Sequence, residues 1–376
     1  MNLIRVELKN WKNFRHVSIP LQQRVFVVGP NASGKSNLLD ALKFLRDVAD
    51  PEWGFQRAVS SRGGVSQIRC LHARKQPNIL LDVMLQVEKV TWQYRLEFKQ
   101  DNRRRPILVS EQAFRNGERV LNRPDPDDLT DSNRLSQTHL EQVNANKEFR
   151  QITTVLSQIR YLHVVPQLIR EADRISPRKG DPYGSDFLEQ IAKTPRRTLL
   201  SRLRRINDAL RVAVPQLREL KLDTDERGVP HLRGLYEHWR PNAGWQSEEQ
   251  FSDGTLRLLG LLWAFLEGDA PLLLEEPELS LHAAVVRYIP AMMVRASRRN
   301  QRQVVLSTHS ADLLSDQGIA PEEVVLLNPT ADGTQVRLSS SIGEIKTLID
   351  HGTSIGDIVI SSTAPNQTDQ LALFGD

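Results

Sequence analysis

Gly29-Pro30-Asn31-Ala32-Ser33-Gly34-Lys35-Ser36 follows the apolar run Arg24-Val25-Phe26-Val27-Val28 and precedes a pattern with Leu38, Leu39, Leu42 and Leu45 on one helical face. The eight residues fit GxxxxGK[ST], and a strand before with a helix after is the context that a phosphate-binding loop requires. Glycine lets backbone N–H groups converge on one anion, and the helix N-terminus adds its positive end. On this reading Gly29, Asn31, Ala32, Ser33, Gly34, Lys35, Ser36 and Asn37 form the nucleotide cradle. Lys35 reaches the β- and γ-phosphates of ATP, and Ser36 ligates Mg²⁺. A buried strand feeding such a loop and helix makes the fold α/β.

Outward from the loop, Ile4, Val6 and Leu8 alternate, as do Val17, Ile19 and Leu21, so two strands precede the buried one. Ile79–Val87, Tyr94–Phe98 and Ile107–Val109 read as further strands, an antiparallel set. Residues 122–135 form a polar loop rich in proline and aspartate, and 147–215 read as charged helices broken at Pro177–Gly184. After residue 251 the α/β character returns, with a helix over Leu256–Leu266 and strands at Leu272–Leu274, Val304–Leu306 and Val324–Leu327.

The strand Leu272-Leu273-Leu274 ends in Glu275-Glu276-Pro277-Glu278, the form of a Walker B segment. Phosphoryl transfer to water needs one carboxylate to hold Mg²⁺ and another to orient or deprotonate the attacking water. Glu275 takes the first role and Glu276 the second, with Glu278 the weaker candidate for the base. Thirty residues on, the next strand ends in Ser307-Thr308-His309-Ser310. His309, at the tip of the neighbouring strand, can contact the γ-phosphate. Phe251-Ser252-Asp253-Gly254-Thr255 opens the Leu256–Leu266 helix, and a serine and glycine at a helix start form a second anion site. Standing about twenty residues before Walker B, Ser252 and Gly254 would close on a partner's ATP.

Signature, Walker B, then switch histidine is the order of the ABC ATPases, and the three segments resemble the RecF/SMC-like branch. The resemblance is strongest to the ATPases of overcoming-lysogenization-defect (OLD) nucleases and related bacterial defence systems. Leu8-Lys9-Asn10-Trp11-Lys12-Asn13-Phe14-Arg15 resembles that branch's first strand and turn. The resemblance implies an ABC-ATPase head with a mixed central sheet, an antiparallel β subdomain and a helical insertion. Residues 1–121 and 251–358 would be its two halves, 122–250 a loop and helical insertion, and 359–376 a flexible tail. It further implies that Ile159–Gln167 is the strand leading into a Q-loop, whose Gln167 senses Mg²⁺ and the attacking water. His282 falls where the D-loop aspartate usually sits, and Glu275 replaces the usual aspartate of Walker B.

The same resemblance frames the expected function. The chain would hydrolyse ATP as a head-to-tail homodimer, switching DNA or a partner effector in genome defence or repair. Residues after His309 are too few for the Toprim nuclease of OLD proteins, so any nuclease would act in trans. Alternatives are the nucleotide-binding subunit of a transporter and a structural ATP-binding scaffold with little turnover. A single cysteine, Cys70, excludes an internal disulfide and a CxxC metal hook. The longest apolar run, Leu256–Leu266, is interrupted by Arg257 and too short for a bilayer, and charges in Met1–Glu7 exclude a signal-peptide core. A cytoplasmic protein without a membrane partner is expected. Arginines cluster at 103–105 and along Lys193–Arg211, a basic face suited to DNA phosphates. Gln370, Leu371, Leu373 and Phe374 resemble the short peptide that docks on the DNA sliding clamp.

Overall fold

The computed structural model describes residues 1–72, 76–171, 180–240, 244–350 and 353–363. Gln370, Leu371, Leu373 and Phe374 therefore lie outside the described residues.

The central sheet is built from β3 (Arg24–Val28), β8 (Arg160–Leu162), β12 (Leu272–Glu275), β13 (Val304–Thr308), β14 (Val324–Thr330) and β15 (Gly333–Leu338), in the order β15-β14-β3-β13-β12-β8. All pairs are parallel except β14 with β15, so the sheet is mixed as expected. Its strands are apolar on both faces because both are covered. In β3, Val25 and Val27 face the core that contains helix α1 (Lys35–Ala49), while Phe26 and Val28 face the opposite core. β12 and β13 alternate in the same way, with Leu273 and Val305 on the α1 side and Leu272, Leu274, Val304 and Leu306 on the other.

A second sheet is fully antiparallel, in the order β2-β1-β4-β5-β6-β7. Its strands are β1 (Asn2–Trp11), β2 (Phe14–Pro20), β4 (Ile79–Val87), β5 (Val90–Gln100), β6 (Pro106–Arg115) and β7 (Glu118–Arg123). α1 lies between the two sheets and is buried along most of its length, with Leu38, Leu42, Phe44 and Leu45 all in the core. Trp11, Phe44, Phe98 and Phe55 form a chain of ring contacts with centroids 5.2, 5.6 and 5.3 Å apart, a spacing at which edge and offset geometries are favourable.

Two corrections to the sequence reading concern residues 122–250. The polar stretch 122–135 is an ordered corner rather than a loop, with short helices over Pro126–Thr130 and Ser132–Ser136. Its polar residues are used inward: Arg123, buried at the end of β7, bonds Asp128 at 2.7 and 2.9 Å and Glu111 at 3.1 Å. Glu111 also accepts from Tyr94 Oη at 2.9 Å and from two backbone N–H groups. Nor is the rest a helical insertion alone. β8 belongs to the central sheet, and β9 (Leu217–Thr224), β10 (Pro230–Tyr236) and β11 (Trp245–Ser247) form a small antiparallel sheet of their own. That sheet packs on the helix Arg196–Ala213, whose Leu203, Ile206 and Leu210 face Leu217, Leu232 and Phe251 in a third core. The expected tail boundary at 359 falls inside a helix, Ile355–Thr363, whose Val359 is fully buried.

Removing Arg123 should leave Glu111 buried without its cation and Asp128 with Arg134 alone as counter-charge, a loss of about 3–5 kcal/mol. Burial alone would raise the Asp128 carboxyl, but bonds from Arg123 outweigh it and hold the group at about 2, below its ordinary 3.8. The native state thus binds this proton less readily than the unfolded chain. Its contribution is complete above about pH 4 and is lost as pH falls toward 2. Urea unfolding of Arg123→Met should show the drop at neutral pH, with a weaker acid dependence than the parent between pH 4 and 2.

Candidate nucleotide site

The phosphate loop takes the shape that its glycines allow. Gly34 sits at φ 100° and Ala32 at φ 62°, left-handed conformations that turn successive peptides. A Cβ at Gly29 would lie 2.6 Å from Ser33 Oγ and 2.7 Å from the Leu327 carbonyl, so only glycine fits between the loop and β14. Lys35 is 6% exposed and folds back over the loop, donating to the Gly29 carbonyl at 2.9 Å and the Pro30 carbonyl at 3.2 Å. Burial lowers the affinity of its amine for a proton, with Glu276, Glu278 and Glu275 acting in the opposite sense.

Glu275 closes the far side. The Ser36 hydroxyl donates to Glu275 Oε1, and the Tyr161 hydroxyl from β8 donates to Oε2. His163 Nδ1 stands 3.9 Å from the same Oε2. Lys43 of α1 places its ammonium 5.0 Å from the Tyr161 ring centroid, within cation–π range. Burial raises the Glu275 carboxyl, partly offset by the Ser36 bond. Ser36 and Glu275 therefore present adjacent hard oxygens, the donor type that Mg²⁺ takes. A loop with backbone N–H groups, a lysine, a hydroxyl and a carboxylate at one point fits a nucleotide with its magnesium.

Glu276 begins the turn after β12 with φ 43°, and its N–H bonds the Ser307 carbonyl at 3.1 Å. Its carboxylate stands 3.2 Å from His309 Nδ1 at the end of β13. Both groups are partly exposed, at 24% and 47% of their side chains, so water and a phosphate have access to them. Glu278 differs: it is 7% exposed and accepts from Thr308 Oγ1 at 2.5 Å and from the His309 N–H at 3.4 Å. Burial raises its carboxyl, with Thr308 and His309 opposing. Glu278 thus ties β13 to the turn after β12, while the Glu276 carboxylate stays open to solvent.

Ser252 and Gly254 are not part of this cluster. They open the helix Asp253–Leu266, where Ser252 Oγ accepts from the Thr255 N–H at 3.1 Å and Ser252 is exposed. A Cβ at Gly254 would come 2.6 Å from the Ser280 carbonyl, so the helix start is pressed against the turn beyond Walker B. Gln167 is exposed in the short helix Pro166–Arg170, and the strand before it stops at Leu162 rather than continuing toward Gln167. Among the described residues no hydrogen bond joins Gln167 to the phosphate loop or Glu275. Its neighbour Arg170 instead bonds the Phe251 carbonyl at 2.7 Å and Asp253 at 2.6 Å. His282 caps the helix Ala283–Val286 by accepting from the Ala284 N–H at 3.1 Å. Tyr161 was not foreseen from sequence. Its place beside Walker B depends on pairing between Leu273 and Tyr161, which no local pattern announces.

The family described as "AAA domain, putative AbiEii toxin, Type IV TA system" matches residues 24–316, the span from β3 to just beyond His309. The chain belongs to that family. Its fold is also that of two solved SMC heads. One, bound to the C-winged helix domain of ScpA, has a TM-score of 0.55 at 15% identity over 89% of this chain and 97% of that one. The other is an SMC head with an extended coiled coil, bound to the C-terminal domain of ScpA derived from Pyrococcus furiosus. Its TM-score is 0.51 at 13% identity, over 93% of this chain and 99% of that one. No curated protein matches. The AbiEii-type domain here is thus an ABC-type P-loop ATPase head in its architecture.

Gly29→Ala should leave this AbiEii-type domain folded but displace the loop, because the new methyl meets a backbone carbonyl. A loss of ADP affinity of at least about tenfold, or 1.4 kcal/mol, is expected by calorimetric titration.

Proposed function

We propose that the chain hydrolyses ATP with Mg²⁺ when two copies close head to tail, and that this cycle switches a partner effector or DNA in genome defence or repair. The observation that carries the reading is the convergence of Lys35, Ser36, Glu275, Glu276 and His309 at the carboxyl ends of the central strands, with Ser252 exposed outside that cluster at the start of the helix Asp253–Leu266. In the cycle, loop N–H groups and Lys35 hold the phosphates, and Ser36 and Glu275 hold the metal. Magnesium, when bound, neutralises charge developing between the β- and γ-phosphates. Glu276 orients the attacking water and takes its proton, while His309 keeps the Glu276 carboxylate aimed and reaches the γ-phosphate. Ser252 and the helix start behind it cap the γ-phosphate of the other copy, which makes each site composite.

The family's description as a putative toxin of a type IV system supports an effector-controlling role rather than transport. The described residues contain no helix long and apolar enough to cross a membrane. The helix Arg196–Ala213 buries Leu203, Ile206 and Leu210 and leaves Arg204 and Arg205 exposed, which supports contact with DNA phosphates. Gln370, Leu371, Leu373 and Phe374 add a sliding clamp as a candidate partner.

Glu276→Gln should bind ATP as the parent does and lose turnover by two or more orders of magnitude, whereas Lys35→Ala should lose binding. Mixing Lys35→Ala with Ser252→Arg should restore part of the activity, because one composite site in each mixed dimer is intact. No recovery despite demonstrated subunit exchange would rule out a shared site. Near-normal turnover in Glu276→Gln would remove Glu276 as the base.

Charge reversal at Arg204 and Arg205 should weaken duplex DNA binding and flatten its dependence on salt, measured by fluorescence anisotropy from 50 to 200 mM salt. An unchanged salt slope would remove this helix from any DNA contact.

A further inference from the structure

The phosphate loop is gripped from behind by two residues outside its motif. Asn13, in the turn between β1 and β2, donates from Nδ2 to the Ser33 carbonyl at 2.8 Å and to Thr334 Oγ1 at 2.7 Å. Thr334, the second residue of β15, donates its own hydroxyl to the same Ser33 carbonyl at 2.8 Å. Asn13 Oδ1 accepts from Asn37 Nδ2 at 2.8 Å, and its main-chain carbonyl accepts the Thr334 N–H at 2.9 Å. The contact is close: a Cβ at Gly34 would lie 2.1 Å from Asn13 Nδ2, and one at Gly333 would lie 2.8 Å from the Asn13 carbonyl.

One carbonyl therefore receives two side-chain donors from opposite ends of the chain. The consequence follows from the planarity of the peptide. In a trans unit the C=O and the next N–H point in opposite directions, so fixing the Ser33 carbonyl toward Asn13 and Thr334 turns the Gly34 N–H the other way, into the loop. Such a lock is needed here because the residue after the bond is glycine at φ 100°. Glycine reaches either sign of φ at little cost, so the Ser33–Gly34 peptide can flip. A flipped peptide would present its carbonyl oxygen to the phosphate in place of a donor.

We propose that Asn13 and Thr334 are positioning residues for the nucleotide. They hold the Ser33–Gly34 peptide in the one orientation that offers the Gly34 N–H to a phosphate oxygen. This rests on the reading of residues 29–37 as the nucleotide cradle. Neither residue touches the ligand, and both act through the loop.

The test is ADP affinity by calorimetric titration of the full chain, for the parent, Thr334→Val, Thr334→Ser, Asn13→Ala and the double variant Asn13→Ala/Thr334→Val. Thr334→Val keeps the side-chain shape and loses the donor, and should weaken ADP about tenfold. Thr334→Ser keeps the donor and should stay within about twofold of the parent. The double variant should fall short of the product of the two single losses, because both donors serve one carbonyl. If Asn13→Ala fails to fold, the Thr334 pair decides alone. Equal affinity in Thr334→Val and the parent overturns the proposal, and so does an equal loss in Thr334→Ser. A parent that binds no ADP overturns the reading of the cradle itself and takes the proposal with it.

Discussion

The alignment of three parallel strand ends is the constraint on which the site depends. Ser307 of β13 pairs with Val27 of β3 on one side and with Glu275 of β12 on the other. That register brings Ser36 and Glu275, 239 positions apart, into hydrogen-bond contact and sets His309 beside Glu276. Register is held by packing on both faces. Phe26 lies on the face away from α1, between two valines that lie toward it. A slip of one residue would drive the ring into the α1 side, and overpacking of that kind costs about 1–3 kcal/mol before pairing losses are counted. Ligand sites at the carboxyl ends of parallel strands follow from this geometry in open α/β sheets generally.

The remaining architecture serves to hold that edge still. The antiparallel sheet backs α1 through an aromatic chain, and the buried Arg123 cluster fixes its far corner. Arg302 does related work at the other end of β13. Its guanidinium donates to the carbonyls of Ala264, Glu267 and Ala270, closing the C-terminus of the helix that begins at Asp253. A charge buried among carbonyls is disfavoured, and burial with Arg160 nearby brings the group down to about 10, still protonated at neutral pH. The helix Asp253–Leu266 is thus anchored at both ends, by Arg302 at its tail and by Arg170 at its head.

The site was legible in the sequence wherever chemistry and local pattern coincided. Residues 29–36, Glu275 with Glu276, and His309 each follow an apolar run, and the structure sets the ends of those strands side by side. β1, β2, β4 and β5 were legible because alternation spans many residues in each, whereas β7, β9 and β10 were not read as strands. Reading failed where elements are short and their partners distant. β11 has three residues, too few for any period to register, and β8, also of three, was read as a strand only through the resemblance. The corner at 122–136 looked like solvent-facing loop because Arg123, Asp125, Asp128 and Arg134 are charged, yet their charges are satisfied by one another. Composition cannot distinguish a charge that meets water from one that meets its counter-ion. Gln167 was placed by resemblance alone, and the strand expected to carry it ends five residues before it.

β8 gives the segment between Walker A and the signature an unusual status. It comes from the middle of that segment, yet it is the outermost strand beside β12. Deleting 122–250 as one removable module would therefore expose the flank of the Walker B strand and strip Tyr161 from Glu275. Nor is the lobe of helix and strands between Arg196 and Ser247 a separable module, because it shares its core with Leu256, Leu259 and Trp263 of the helix that begins at Asp253.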